Sequence, residues 1–302
     1  MRALTVNGVR IDDTFAEAFG MRATAVIVTA DSIRWAHQAV LTMTGFATSV
    51  IGCGCEAGID GELTALQTPD RRPGVRVLLF AVSTAELQKQ LQARVAQCVL
   101  TSPGSACYAG LDGEERLRLG NALRFFGDGW QISKRFGPRH YWRIPVMDGE
   151  FVCEATTGLT KAAVGGGNLL IMGRTAQTTL AAAEAATAAI AKVPDAIMPF
   201  PGGIVRSGSK VGSKYKGVPA STNHAFCPTL RGAVATALDP DVSCVLEIVI
   251  DGLTSQAVAA AMGAGIGAVI ALGPGHGATR ISAGNYGGKL GPHQYHLRDL
   301  TP

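Results

Sequence analysis

A segment beginning at Thr84, TAELQKQLQARVAQCVL followed by TSPG, has a counterpart beginning at Thr254, TSQAVAAAMGAGIGAVI followed by ALGPG. Each runs from an apolar strand through a hydroxyl cap into an apolar-striped helix, then to a Pro/Gly stop, and the two lie 170 positions apart. Leu87, Leu91, Val95, Cys98 and Val99 mark the buried face of the first helix, at the spacing of a 3.6-residue period. The segment GFATSVI at Gly45–Ile51 likewise resembles PFPGGIV at Pro199–Val205, setting Phe46 against Phe200, and the preceding helices align as well. Each half therefore reads β-α-β followed by β-α-β. Two such halves predict an α+β chain of two duplicated ferredoxin-like (split βαβ) lobes, with antiparallel sheets and helices packed on them. The N-terminal lobe covers 1–148 and includes a hairpin or lid excursion around FFGDGW; the C-terminal lobe covers 149–302.

Composition agrees with two cores. Of 302 residues 47% are hydrophobic, and 38 glycines with Ala-rich helices point to closely packed backbones. Charged residues make up only 17%, the net charge is +4, and no long Lys/Arg tract occurs, which argues against nucleic acid as a partner. The N-terminus lacks a basic segment followed by an apolar signal core, and the cysteines number seven, an odd count; both predict a reducing cytoplasm. Ala257–Leu272 is apolar but short and interrupted by Gly, which predicts a core helix rather than a membrane span.

Local patterns place further elements. Asn7-Gly8 predicts a turn beside an opening strand to Ile11, and Ser32 caps a helix that Gly45 ends. Phe46–Ile51 reads as a strand, Thr84 as the cap of the next helix, and the GPG at Gly273–Gly275 as the end of the last long helix.

The two copies differ where chemistry would sit. The stretch from Pro199 to Glu247 is rich in Gly, Ser, Lys and Asn, which suits a ligand surface better than a core. Arg206, Lys210, Lys214 and Lys216 cluster there as a candidate anion-binding loop, where the first copy carries GCGCEAGI. Glu247 sits inside the strand SCVLEIVI, and at the same offset its counterpart is Val77. A carboxylate among Val, Leu and Ile is either a general acid/base with a raised pKa or a structural group satisfied by cations and backbone donors. Metal chemistry is weakly supported. Cys53-Gly-Cys55 lacks zinc-knuckle spacing, and His276, His293 and His296 leave a zinc triad open without any HExxH. No GxSxG elbow occurs, and Gly165-Gly-Gly167 lacks the remainder of a phosphate loop.

Ten blocks carry a resemblance that spans nearly the whole chain. They include IDDTFAEAF at Ile11–Phe19, WAHQAVLTMTGFATSVI at Trp35–Ile51, TPDRRPGV at Thr68–Val75, FFGDGW at Phe125–Trp130, PFPGGIVRSGSKVGSK at Pro199–Lys214, PASTNHAFCPT at Pro219–Thr229, CVLEIVIDGL at Cys244–Leu253 and ISAGNYGGKLG at Ile281–Gly291. In these the chain resembles the formylmethanofuran:tetrahydromethanopterin formyltransferases, and its basic, Ala/Gly-rich composition resembles the bacterial C1-oxidising type. The resemblance implies transfer of a formyl group between N5 of tetrahydromethanopterin and the amine of methanofuran, as substrates, with no tightly bound cofactor or metal. It implies a homodimer or homotetramer, and association with an amidohydrolase and other subunits of a formyltransferase/hydrolase complex. It puts the acid/base on Glu247 and ligand-facing positions at Arg206, Ser207, Ser209, Lys210, Ser213, Lys214, Asn223, Ser282 and Asn285. A non-catalytic carrier-binding or assembly subunit of the same complex is the alternative reading.

Overall fold

The structure is a computed structural model and describes residues 4–302. By packing, the chain forms two compact units, Gly20–Ala163 on one side and residues 4–19 with Val164–Pro302 on the other. The opening residues thus pack with the second half of the chain, not with the 1–148 segment to which the sequence order assigns them.

In the Gly20–Ala163 unit, four strands form a sheet in the order Glu56–Leu63, Gly74–Ala81, Phe15–Thr29 (its later part), Ala106–Ala109. The helices Ile33–Thr44 and Thr84–Arg94 fill the two crossovers, so the order is βαββαβ, as expected of a ferredoxin-like lobe. Ile33–Thr44 forms because Ser32 accepts the Trp35 N–H and because Ala36, Ala39, Val40 and Met43 bury one face. The next helix carries Leu87, Leu91, Val95 and Val99 at a strict four-residue spacing, and all four are fully buried. On an α-helix that spacing drifts by about 40° per step. A single wider turn, in which the Leu100 N–H reaches Val95 O at 2.9 Å, returns Val99 to the core. The unit is extended by Gly149–Glu154, parallel to Ala106–Ala109, and then by the hairpin Ile132–Phe136/Arg139–Val146 just after FFGDGW.

The second unit repeats the pattern. Its strands run Ala196–Ile197, Cys244–Gly252, Thr160–Gly173, Arg280–Ser282, with helices Ala176–Ile190 and Ser255–His276 in the crossovers. These helices pack closely on each other, and small residues permit it: a Cβ on Gly265 would lie 2.9 Å from Ile190 Cδ1. Ser255–His276 has the length and hydropathy of a membrane span. Here Val258, Met262, Ile266 and Val269 of that helix are fully buried in the unit's own core, and each contributes about 2 kcal/mol by leaving water. Residues 4–19 add the hairpin Leu4–Val6/Val9–Ile11, turned at Asn7 (φ 47°) and Gly8 (φ 77°), and Val9–Ile11 pairs with Arg280–Ser282.

Four local expectations are corrected. Phe46–Ile51 is not a strand: Phe46 has a φ of 50° and is 80% exposed, and Ser49 caps one helical turn, Val50–Cys53. Only the small Ala47 of this run enters the core, while the large Phe46 and Ile51 side chains stay exposed, so a strand here would bury little. Ser83, not Thr84, caps its helix, accepting the Glu86 N–H at 3.2 Å. The last long helix breaks at Gly273 (φ 67°), but a further turn runs to His276. The cap shift moves the repeat by one residue. Ser83 matches Thr254, so the counterpart of Glu247 is Arg76 and not Val77. Strand register agrees independently, since Ile27 pairs with Arg76 and Tyr108, and Leu170 pairs with Glu247 and Ser282.

Candidate active site

The second unit contains a cavity of about 540 Å³ on the sheet face that carries Glu247. Its floor comes from three adjacent strands. Glu247 and Leu170 are directly paired, and Ser282 pairs with Leu170 from the other side, so all three side chains share one face. Beside them Met172, Leu238, Val242, Val245 and Phe226 form an apolar cluster with Leu170. Val205 exchanges both backbone hydrogen bonds with Glu247, at 2.7 and 2.8 Å, which fixes where the carboxylate leaves its strand.

Burial alone pushes the Glu247 carboxyl up to about 7. No ion pair or side-chain hydrogen bond to this carboxylate is found among the described residues, so the cation-satisfied alternative has no partner here. Glu17 behaves in the opposite way. Burial works to raise its pKa, but backbone N–H groups of Gly291, Tyr286, Leu290 and Gly288 overcome that and bring it down to about 2.

The sequence-predicted positions separate into two sets. Glu247, Ser209, Lys210, Asn223, Ser282 and Asn285 are brought to the cavity wall. Arg206, Ser207, Ser213 and Lys214 are not part of that wall. The Ser/Lys segment is a hairpin, Ser209–Val211 paired with Ala220–Thr222, and its exposed tip carries Lys214, Tyr215 and Lys216. Arg206 and Ser207 are exposed ahead of it, and the Ser213 hydroxyl accepts the Tyr215 N–H. The Asn285 side chain is spent partly on the fold, its amide donating to Thr14 Oγ1 at 3.1 Å and Phe15 O at 3.2 Å.

Asp12, Asp13, Thr14, Asn168, Phe226 and Tyr286 also line the cavity and were not singled out by sequence. Asp12 is held by a two-pronged contact from Arg280, at 2.9 and 2.7 Å, which anchors the turn forming one edge. Asn168 accepts the Gly284 N–H at 2.6 Å and donates to Gly284 O and Gly166 O, fixing the opposite edge. A polar residue inside a largely buried strand was the available signal for Asn168, the same signal that exposed Glu247. Among the described residues, no group of three or more His, Cys, Asp or Glu side chains is arranged to hold a metal ion.

Residues 4–146 match the family described as formylmethanofuran-tetrahydromethanopterin formyltransferase, and residues 149–300 match its companion family, FTR, proximal lobe. The chain belongs to this formyltransferase family. A formylmethanofuran–tetrahydromethanopterin formyltransferase from Methylococcus capsulatus is 62% identical, over 98% of this chain and 99% of the relative. A chain of the formyltransferase/hydrolase complex of Methylorubrum extorquens, solved with methylofuran, is 56% identical, with a TM-score of 0.97 and full coverage of both chains. The formyltransferase structure from Methanosarcina barkeri is 44% identical with a TM-score of 0.93, covering 98% of this chain and all of that one. The formyltransferase family thus accounts for the α+β lobes.

Proposed function

We propose that Glu247 is the general acid/base of the formyl transfer that this enzyme catalyses between methanofuran and tetrahydromethanopterin. The observation that carries the reading is a carboxylate on an apolar floor, in a cavity wall, with its pKa pushed up to about 7. At neutral pH such a group is poised between its two forms and serves a reversible reaction in either direction.

The acceptor amine attacks the formyl carbon. A C–N bond forms, and the carbonyl π pair moves to oxygen, giving a tetrahedral oxyanion. Glu247 takes the proton from the attacking nitrogen. Collapse reforms the carbonyl, the bond to the departing nitrogen breaks, and that nitrogen receives the proton from Glu247. The Lys210 ammonium and the Asn223 amide, both on the wall, supply donors for the oxyanion or for anionic parts of a carrier. The scheme needs no enzyme nucleophile, and holding two large carriers in one cavity contributes much of the rate.

The full-length match to a chain of a formyltransferase/hydrolase complex supports assembly with hydrolase and further subunits, so that the formyl group leaving this site is hydrolysed by a partner. Self-association into dimers or tetramers belongs to the same reading. All seven cysteines are free thiols, which supports a cytoplasmic location.

Glu247→Gln tests the assignment. The variant keeps volume and removes the titrating proton. Its kcat is expected to fall by about 10²–10⁴, and the limb near pH 7 in the wild-type kcat/KM profile is expected to vanish. A purified variant with near-normal kcat would overturn the role.

A further inference from the structure

Among the buried carboxylates that the mechanism leaves unused is Glu17. Glu17 projects from the strand Phe15–Thr29 and is 1% exposed. One of its oxygens accepts the N–H groups of Tyr286 and Gly288, at 2.7 and 2.8 Å; the other accepts those of Leu290 and Gly291, at 2.6 and 2.7 Å. All four donors lie between residues 286 and 291, a loop with no regular structure of its own. The fit is close. Gly288 has a φ of 70°, and a side chain on Gly291 would run into the carbonyl of Ala18. The same loop begins as the cavity wall, where Tyr286 stands with Glu247. The Tyr286 ring also rests on Phe19, with centroids 6.0 Å apart.

We propose that Glu17 is a positioning residue for formyl transfer: by clamping the 286–291 backbone it holds Tyr286 in place as the wall that keeps water away from Glu247. The proposal rests on the acid/base reading of Glu247. Charged and titratable groups facing Glu247 come from each surrounding element: Lys210 from the hairpin, Asp12 and Asp13 from the turn, and the neutral phenol of Tyr286 from the loop. Asp12 is already neutralised by Arg280. Glu17 faces Tyr286 and the loop that carries Lys289. Held well below the usual carboxylate range, Glu17 stays ionised while Glu247 titrates, so the clamp does not open across that range. Burial raises the Tyr286 phenol, and so do the charges of Glu247 and Glu17, which puts the ring within electrostatic reach of both carboxylates.

Glu17→Gln keeps shape but turns an NH₂ toward two of the four N–H donors. Three measurements are made on the assembled enzyme at a temperature where the variant is folded: hydrogen exchange of the 284–292 backbone, the Glu247 titration by carboxyl ¹³C NMR (assigned with Glu247→Gln), and kcat with each KM. The clamp predicts exchange at 286–291 faster by tenfold or more. It predicts that the Glu247 midpoint drops from about 7 by at least one pH unit as water enters, and that kcat falls tenfold or more with smaller changes in KM. A role confined to stability would leave the midpoint where it is. Tyr286→Ala removes the wall while leaving the clamp, and is expected to lower the midpoint similarly; it keeps the test available if Glu17→Gln does not fold. A midpoint unchanged in either variant that folds overturns the proposal. If Glu247→Gln instead retains kcat, the acid/base reading fails, while exchange and titration still judge the clamp.

Discussion

Glu17 is buried and Glu247 is half-buried, with opposite consequences for their protons. Apolar neighbours offer the Glu247 charge nothing, so its folded pKa of about 7 lies above the ordinary 4.5. The folded protein therefore binds this proton more tightly than the unfolded chain. The stabilisation is complete below pH 4.5 and is lost as pH rises through about 7. Its span is about 3 kcal/mol. Glu247→Gln cannot lose it, so the variant should gain on the wild type by up to that amount between pH 5 and pH 8, as urea unfolding at both pH values would show. An equal difference at the two values would contradict a raised pKa. Glu17 has the reverse sign: its contribution is present above 4.5 and is lost only as pH falls through about 2. Glu247 was legible in sequence because a lone carboxylate breaks an apolar strand. Glu17 was not, because its four partners lie some 270 positions away.

Single elements carry two predictions. Ser83 accepts the Glu86 N–H, whereas Thr84 is already the first helical residue. Ser83→Ala should cost about 1 kcal/mol and Thr84→Ala much less, a difference that thermal unfolding would resolve. Sequence could place the cap only to within a residue, since two hydroxyls stand side by side and only the backbone turn decides between them. The Ser/Lys hairpin separates its lysines likewise. Lys210 is on the cavity wall and Lys214 is at the exposed tip. Lys210→Gln is expected to raise KM for an acidic carrier at low salt by roughly two- to fivefold, fading as ionic strength rises, with kcat changed less. Lys214→Gln should change neither. Equal effects of the two substitutions would place the tip in the binding site. The pairing of Ser209–Val211 with Ala220–Thr222 makes the difference: it brings one cation to the cavity and carries the other away.

Across the whole molecule, the duplication shows one sheet position put to two uses. In the second unit the row Glu247, Leu170, Ser282 opens a cavity. In the first the same row is Arg76, Ile27, Tyr108. There the Arg76 guanidinium meets Asp60 at 2.5 Å and Gly110 O at 3.2 Å, and the buried Tyr108 ring fills the place of a serine, donating to Asp70. The counterpart of the site is thus closed by ion pairs and an aromatic ring. Arg76→Met should destabilise the protein by about 3 kcal/mol, because it strips a buried carboxylate of its cation, while kcat and both KM values stay unchanged. A kinetic defect in a folded Arg76→Met enzyme would mean that the first unit also takes part in catalysis.

Sequence by itself determined the duplicated βαββαβ order, the buried stripes of the helices and the strand carboxylate, since each is written in local periodicity or in one residue at odds with its neighbours. It also determined the family, through motif blocks spread along the chain. Register and long-range packing decided the rest. A one-residue slip in the repeat turned Val77 into Arg76 as the counterpart of Glu247. The same contacts moved residues 4–19 to the second unit, made Phe46–Ile51 a turn, divided the ligand candidates between cavity wall and surface, and joined Glu17 to a loop almost the full chain length away. Such outcomes depend on which backbone donors and side chains meet after folding, and local sequence carries no signal for a partner that is distant along the chain.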